Sequence, residues 1–193
     1  MNIVRMLNIC FIESVMKLLA AIIALTSVST AFAQDNYQGH RLGLGVSTGE
    51  YEEVSSDYHS TDLGSGLKVE YGYDFNRIIG LNVSYETNSE KDNFMGASIK
   101  SEVSTLTMDA DIGYAFFLNG FNIKPYGAIG LGYVTDKVTV ESISIKETET
   151  SLLVGTGVRA DFSNGLYTDL RYQVVILDHD DLNQTSITVG YKF

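Results

Sequence analysis

The chain has no tryptophan, one cysteine and one proline in 193 residues. Cys10 stands alone, which excludes a disulfide framework and a cysteine metal site. Bases are scarce as well: Lys+Arg number 13 against 24 for Asp+Glu, a formal net charge of −11. Nucleic-acid binding needs a basic surface, so this balance argues against such a partner. Only one long apolar run is present, near the N-terminus, and the mean hydropathy of +0.05 would suit a water-soluble protein. Transmembrane strands alternate apolar with polar residues and average out, so that value also permits a β-protein in a membrane. Eighteen glycines and twelve tyrosines beside a single proline favour strands with close backbone approach.

The apolar run reads as an address. Met16-Lys17 precedes Leu18–Leu25, a Thr/Ser stretch and then Ala31-Phe32-Ala33 before polar Gln34-Asp35-Asn36. A charged start, a short apolar core and a small-x-small ending make a secretory signal, with cleavage expected after Ala33. The run is shorter than the ~20 residues of a spanning helix. Residues 1–33 are therefore an N-terminal extension and signal peptide, with Met16 a complete start by itself, and residues 34–193 form the mature domain.

Past Gln34 the pattern changes to strict alternation, the signature of strands with one apolar and one polar face. Eight segments carry it. Leu42, Leu44 and Val46 oppose Gly43, Gly45 and Ser47; Leu67, Val69, Tyr71 and Tyr73 oppose Lys68, Glu70, Gly72 and Asp74. Ile79 to Glu86, Leu106 to Phe116, Pro125 to Tyr133, Leu152 to Phe162, Leu166 to Ile176 and Thr185 to Phe193 continue the series. Ile99 to Val103 is out of phase with the segment after it, which predicts a bulge or kink near Ser104. The fifth segment is expected to open at Pro125, since a first strand residue tolerates a missing donor.

Connections alternate in length. Asn76-Arg77, Leu118–Asn122 and Ser163-Asn164-Gly165 are tight, with hairpin chemistry. Long polar connections are expected around 52–62, 88–98, 136–150 and 178–184. Short turns at one rim and long loops at the other describe an outer-membrane barrel, and the fold class is all-β: an eight-stranded antiparallel up-and-down transmembrane β-barrel. Tyr73, Phe75, Phe116, Phe162, Tyr191 and Phe193 fall near the short-turn rim as a membrane-interface girdle.

Alternation alone leaves the inward face undecided; a lipocalin-like soluble barrel would put the apolar side within. Glycine on the polar face, lopsided connections, the terminal Phe193 and the missing tryptophan favour the membrane version. Lys68, Glu70, Asp74, Glu86, Asp109, Asp111, Arg159, Asp161, Asp169, Arg171 and Lys192 then form a luminal charge network, with acids in excess of bases. Such a network is a plug of ion pairs or a gated path for water and small ions.

Lys124-Pro-Tyr-Gly-Ala-Ile-Gly-Leu-Gly-Tyr133, the closing Val189-Gly-Tyr-Lys-Phe193 and the alternation give residues 34–193 a resemblance to the small outer-membrane β-barrel family, the group of the OmpA transmembrane domain and OmpX-like proteins. The resemblance implies a Gram-negative outer membrane, surroundings of outer-membrane lipid and lipopolysaccharide, a monomer, and recognition of the C-terminal strand by the barrel-assembly machinery. The chain is expected to depart from full-length OmpA in having no second, peptidoglycan-binding domain.

Catalytic chemistry has little to stand on. His40, His59 and His179 show no nucleophile–base–acid constellation, and neither an enzyme nor a cofactor is expected. Asp178, Asp180 and Asp181 are a weak candidate for a divalent cation, though such runs are usually solvated loop tips. The expected role is non-enzymatic: envelope integrity with acidic surface loops outside. The alternatives are a narrow porin-like channel and a surface adhesin presenting Tyr51, Tyr58, Phe94 and Met95.

Overall fold

A computed structural model describes residues 37–53, 60–94, 97–140, 143–178 and 180–193. The expected signal segment, Tyr58, His59, Met95 and His179 lie outside these residues. Nine strands follow in order: β1 (Gly39–Glu53), β2 (Ser60–Asp74), β3 (Ile79–Phe94), β4 (Ala97–Gly113), β5 (Phe116–Leu118), β6 (Phe121–Val140), β7 (Ile143–Phe162), β8 (Leu166–Ile176) and β9 (Asp180–Lys192). Apart from β4 and β5, which do not pair with each other, each strand pairs antiparallel with its sequence neighbours, β1 pairs with β9, and β4 pairs with β6. The sheet therefore has no free end. Short β5 continues the register of β4, since Gly113 faces Tyr126 and Phe116 faces Ile123. The two are one stave, and the ring has eight.

The short turns are built as their residues dictate. Asn76 Oδ1 accepts from the Ile78 and Ile79 amides at 2.7 and 2.9 Å, and Asn164 Oδ1 accepts from Leu166. Gly120 and Gly165 supply the positive φ, 93° and 86°, that an L side chain resists.

Three expectations need correction. The described residues of the four long connections are strand, Asp178 apart, because β1 and β2, β3 and β4, β6 and β7, and β8 and β9 run on into them. Pairing neighbours satisfy the backbone there as well as within the membrane. β6 begins at Phe121, four residues before Pro125. No shift occurs near Ser104, where β4 pairs in unbroken register from Ala97 to Ile112 with β3 and from Ile99 to Gly113 with β6. Its early residues looked out of phase because Val103 points inward (3% exposed) while Leu106 points outward. The irregularity falls instead between β1 and β2, at Thr48/Glu50, opposite Gly64 with φ 71°. That extra residue turns Leu63 into the barrel.

Candidate functional site

The inner wall carries charge over its lower and middle thirds. Arg41 at the start of β1 is fully buried; its Nε donates to Asp74 at 3.0 Å and its Nη2 to Asn82 at 2.7 Å. Arg159 Nε donates to Asp169 at 2.9 Å, and its two Nη atoms reach Asp111 at 3.3 Å. Lys124 Nζ contacts Asp111 at 2.5 Å, and Lys192 Nζ contacts Asp74 at 2.8 Å. Higher up, Arg171 meets Asp109 at 2.7 Å, while Lys68 meets Glu86 at 3.1 Å and Glu70 at 3.6 Å. Tyr126 donates to Asp169, Tyr167 to Glu70 and Tyr37 to Asp161. All eleven charged residues singled out from the sequence lie on this face. Ten are buried and Lys192 is nearly so.

Arg41 and Lys124 are additions to that set. Both were legible: Arg41 shares the parity of Gly43 and Gly45, and Lys124 that of Ala128. Their signal is weak because each precedes the first apolar residue of its segment. With them the interior holds six cations and seven carboxylates, so the excess of acid expected from the sequence, three in the named set, is corrected to one. Buried charge persists where partners are this near.

Glycine makes the interior possible. A Cβ at Gly43 or Gly190 would overlap the Tyr167 ring and hydroxyl. Those two positions hold the space that lets a tyrosine cross the lumen and reach Glu70.

Above the charges the interior changes character. Leu63, Val103, Val134, Leu153, Val175 and Leu182 form one buried cluster, with Tyr51 and Leu177 packed against it. Six strands contribute one side chain each. Tyr51 is thus not a displayed loop residue: it faces inward and its hydroxyl donates to Asp136 at 2.6 Å. At the opposite mouth Tyr37 is buried, with Lys192 Nζ 3.5 Å from its ring centroid. The ionic zone thus lies between an apolar cluster on one side and a buried tyrosine on the other.

The outer wall reverses this order. Leu44 is 68% exposed, and Leu67, Ile129, Leu131, Leu170 and Val189 project from the same band. Aromatic residues edge it near the short turns. Tyr73 and Phe75 meet edge-to-face at 5.0 Å, Tyr114 and Phe116 at 5.1 Å, and Phe121 and Phe162 lie tilted at 6.3 Å. Phe116, Phe162, Tyr191 and Phe193 are exposed on this rim. His40 stacks on Phe193 at 5.7 Å, and its Nδ1 lies 2.7 Å from the Tyr71 hydroxyl, so its ring belongs to the girdle.

The acidic trio does not converge. Asp180 and Asp181 are adjacent in β9 and so face opposite sides, and Glu149 Oε1 accepts from the Asp178 amide at 2.9 Å. No group of three metal-ligating side chains occurs among the described residues.

A closed sheet with an apolar exterior and an ionic interior has one suitable solvent for its outer band, the hydrocarbon of a membrane. The fold and its walls define a transmembrane β-barrel. Residues 18–193 match the model of the outer membrane protein beta-barrel domain, and the chain belongs to that family, which sits in the outer membrane. The structure is similar to that of Ail, the attachment invasion locus protein of Yersinia pestis, with TM-score 0.60 and 21% identity over 81% of this chain and 99% of that one. Ail in complex with the heparin analogue sucrose octasulfate gives TM-score 0.60 and 18% identity over 81% of this chain and 99% of that one. Neisserial surface protein A gives TM-score 0.59 and 17% identity, covering 80% of this chain and 97% of that one. Among curated proteins no sequence relative matches.

Proposed function

We propose that this chain is a sealed, non-enzymatic outer-membrane barrel that supports the envelope and holds a stiff β-wall above the lipid surface. One observation carries this reading: the buried cluster of Leu63, Val103, Val134, Leu153, Val175 and Leu182 lies across the lumen above the ion-pair network. A path for ions must cross that dry layer, where a charge finds no partner. Purified protein in planar bilayers is expected to give no conductance steps; regular steps from the wild-type chain would overturn the sealed barrel and restore the narrow channel.

A second reading, a surface adhesin, draws on the length of the β6–β7 hairpin. β7 pairs with β8 only from Leu152 to Asp161, yet it extends to Ile143 beside β6. The β7 arm of that hairpin stands clear of β8, while β6 stays paired with β4 to Val140, and Val138 and Ile145 are exposed on it. Ail bears attachment in its name. Replacing residues 136–149 with a short turn while keeping the barrel tests this: adhesion to host cells falls if the hairpin is the contact.

The remaining parts of the proposal concern biogenesis. Met16–Ala33 is an export signal removed after Ala33, β9 is the strand engaged by the assembly machinery, and the barrel is monomeric in lipopolysaccharide-rich membrane. N-terminal sequencing of the mature protein tests the first.

A further inference from the structure

The surplus negative charge of the interior has a definite place. Glu70, Asp74, Glu86, Asp109, Asp111 and Asp169 each form an ion pair with lysine or arginine. The supply of cations is uneven: Arg41, Lys124, Arg159 and Lys192 all approach Asp74, at 2.8 to 3.8 Å. Asp161 is the interior carboxylate that pairs with no lysine or arginine among the described residues, yet it is only 5% exposed. Its Oδ2 accepts from the Tyr37 hydroxyl, while its Oδ1 is buried without a hydrogen-bond partner. An unpaired carboxylate oxygen out of water costs free energy until a donor reaches it.

Asp161 lines a cavity of about 300 Å³ at the short-turn mouth of the barrel. Tyr37, Phe162 and Phe193 give this cavity aromatic walls, and Asn122 and Lys192 complete it. Asn122 stands opposite Asp161 in the register of β6 and β7, so the two side chains leave one face of the sheet. The Asn122 amide oxygen is thus a second acceptor beside the carboxylate. Gln38 and Ser163, at the edge of the cavity, are engaged elsewhere: Gln38 Nε2 donates to the Tyr73 hydroxyl and Ser163 Oγ to the Gly120 carbonyl. The Lys192 ammonium is taken as well, 2.8 Å from Asp74 and 3.5 Å from the centroid of the Tyr37 ring. What the cavity has left for a ligand is acceptor oxygen, negative charge and aromatic surface.

We propose that this cavity binds a small primary alkylammonium ion from the periplasm. Its N–H groups meet Asp161 Oδ1 and the Asn122 amide oxygen, and its alkyl stem lies along the aromatic walls. Short turns of an outer-membrane barrel face the periplasm, so the ligand enters from that side. A charge-assisted hydrogen bond to a carboxylate is about twice as strong as a neutral one, which makes Asp161 the main anchor. A divalent metal fits worse, since calcium takes about 6–8 oxygen ligands and gains nothing from rings. An organic ammonium gains from aromatic faces. One bound ammonium also balances the interior, whose carboxylates exceed its cations by one. The ligand is a free amine rather than a side chain of a larger partner, because the edge residues Gln38 and Ser163 are already spent within the barrel.

The test is calorimetric titration of the purified, folded full chain with n-butylammonium, with 1-butanol as the uncharged analogue. One equivalent of butylammonium should bind saturably and 1-butanol should not. Asp161→Asn should weaken the binding about tenfold or more. If that variant shows no folded, heat-shiftable gel band, the wild type still decides: butylammonium should raise its urea midpoint with concentration, and equimolar sodium should not. Absence of saturable binding by the wild type overturns the proposal, as does equal binding by Asp161→Asn or equal binding of 1-butanol. Displacement of butylammonium by equimolar sodium overturns it too, by making the site an inorganic one. Tighter binding of a lysine-containing peptide than of butylammonium overturns the free amine as ligand and assigns the cavity to a periplasmic protein. Conductance steps in bilayers would overturn the sealed barrel and leave this outcome unchanged.

Discussion

The same strands build two walls of opposite polarity. Through the membrane band β6 shows Ile129, Leu131 and Tyr133 outside and Lys124 and Tyr126 inside; a few residues later Val134 is inside and Lys137 outside. β7 makes the same exchange at Leu152 (outward) and Leu153 (inward), and β8 at Val174 and Val175. Nothing in the backbone changes at these points, since pairing continues without a shift in β4, β6 and β7. What changes is the solvent on the outside. Below the crossover the outer face meets hydrocarbon and the inside must hold whatever polarity the sequence carries. Above it the outer face meets water and the wall reverts to the arrangement of a soluble barrel, with an apolar interior.

Breaking the ionic half should cost most. Arg159→Ala leaves Asp74, Asp111 and Asp169 without their shared cation, at about 3–5 kcal/mol. Urea unfolding in lipid vesicles, followed by gel mobility, measures it. In the upper half Leu153→Ala removes a fully buried side chain from the apolar cluster, a loss of about 2–5 kcal/mol by the same assay. An inserted arginine sharpens the contrast between the outer faces. Leu44→Arg should cost about 2–4 kcal/mol where the wall meets lipid, whereas Thr135→Arg, above the band, should stay within about 0.5 kcal/mol.

The smallest effect concerns Asp136, which lies above the band among polar neighbours. Burial, with Glu147 and Glu149 nearby, raises its carboxyl above the usual carboxylate range against the opposing hydrogen bond from Tyr51. The folded state therefore holds that proton more tightly than the unfolded chain. Its contribution to stability is present in acid and is lost as pH rises from the ordinary carboxylate value through the raised one. Asp136→Asn keeps an acceptor for Tyr51 and should flatten that part of the pH profile. Unfolding midpoints of the two proteins between pH 4 and pH 7 decide it; parallel curves would remove Asp136 as a titrating group.

Much of this was legible in the chain. Alternation marked all eight staves and their lipid-facing residues, and parity alone would have placed Arg41 and Lys124 inside. Val103, Val134, Leu153, Val175 and Leu182 carry a weaker signal, because apolar residues in phase with the lipid band stand near them in the sequence. Their trace is the doublet: Tyr133-Val134, Leu152-Leu153 and Val174-Val175 each place one apolar side chain on either face at the crossover. The long connections read as loops because polar residues outnumber apolar ones there, yet a strand in water is polar on its outer face too.

The sequence by itself determined the strands, their faces and the short turns, because side-chain direction along a strand is a local property of period two. Only the tertiary structure decided which carboxylate meets which cation, where the apolar cluster sits above them, and that Lys100, Lys137 and Lys146 share one wall. Those depend on the register between strands far apart in the chain, such as Arg41 with Asp111 or Leu63 with Val134, and register is fixed only when the ring closes.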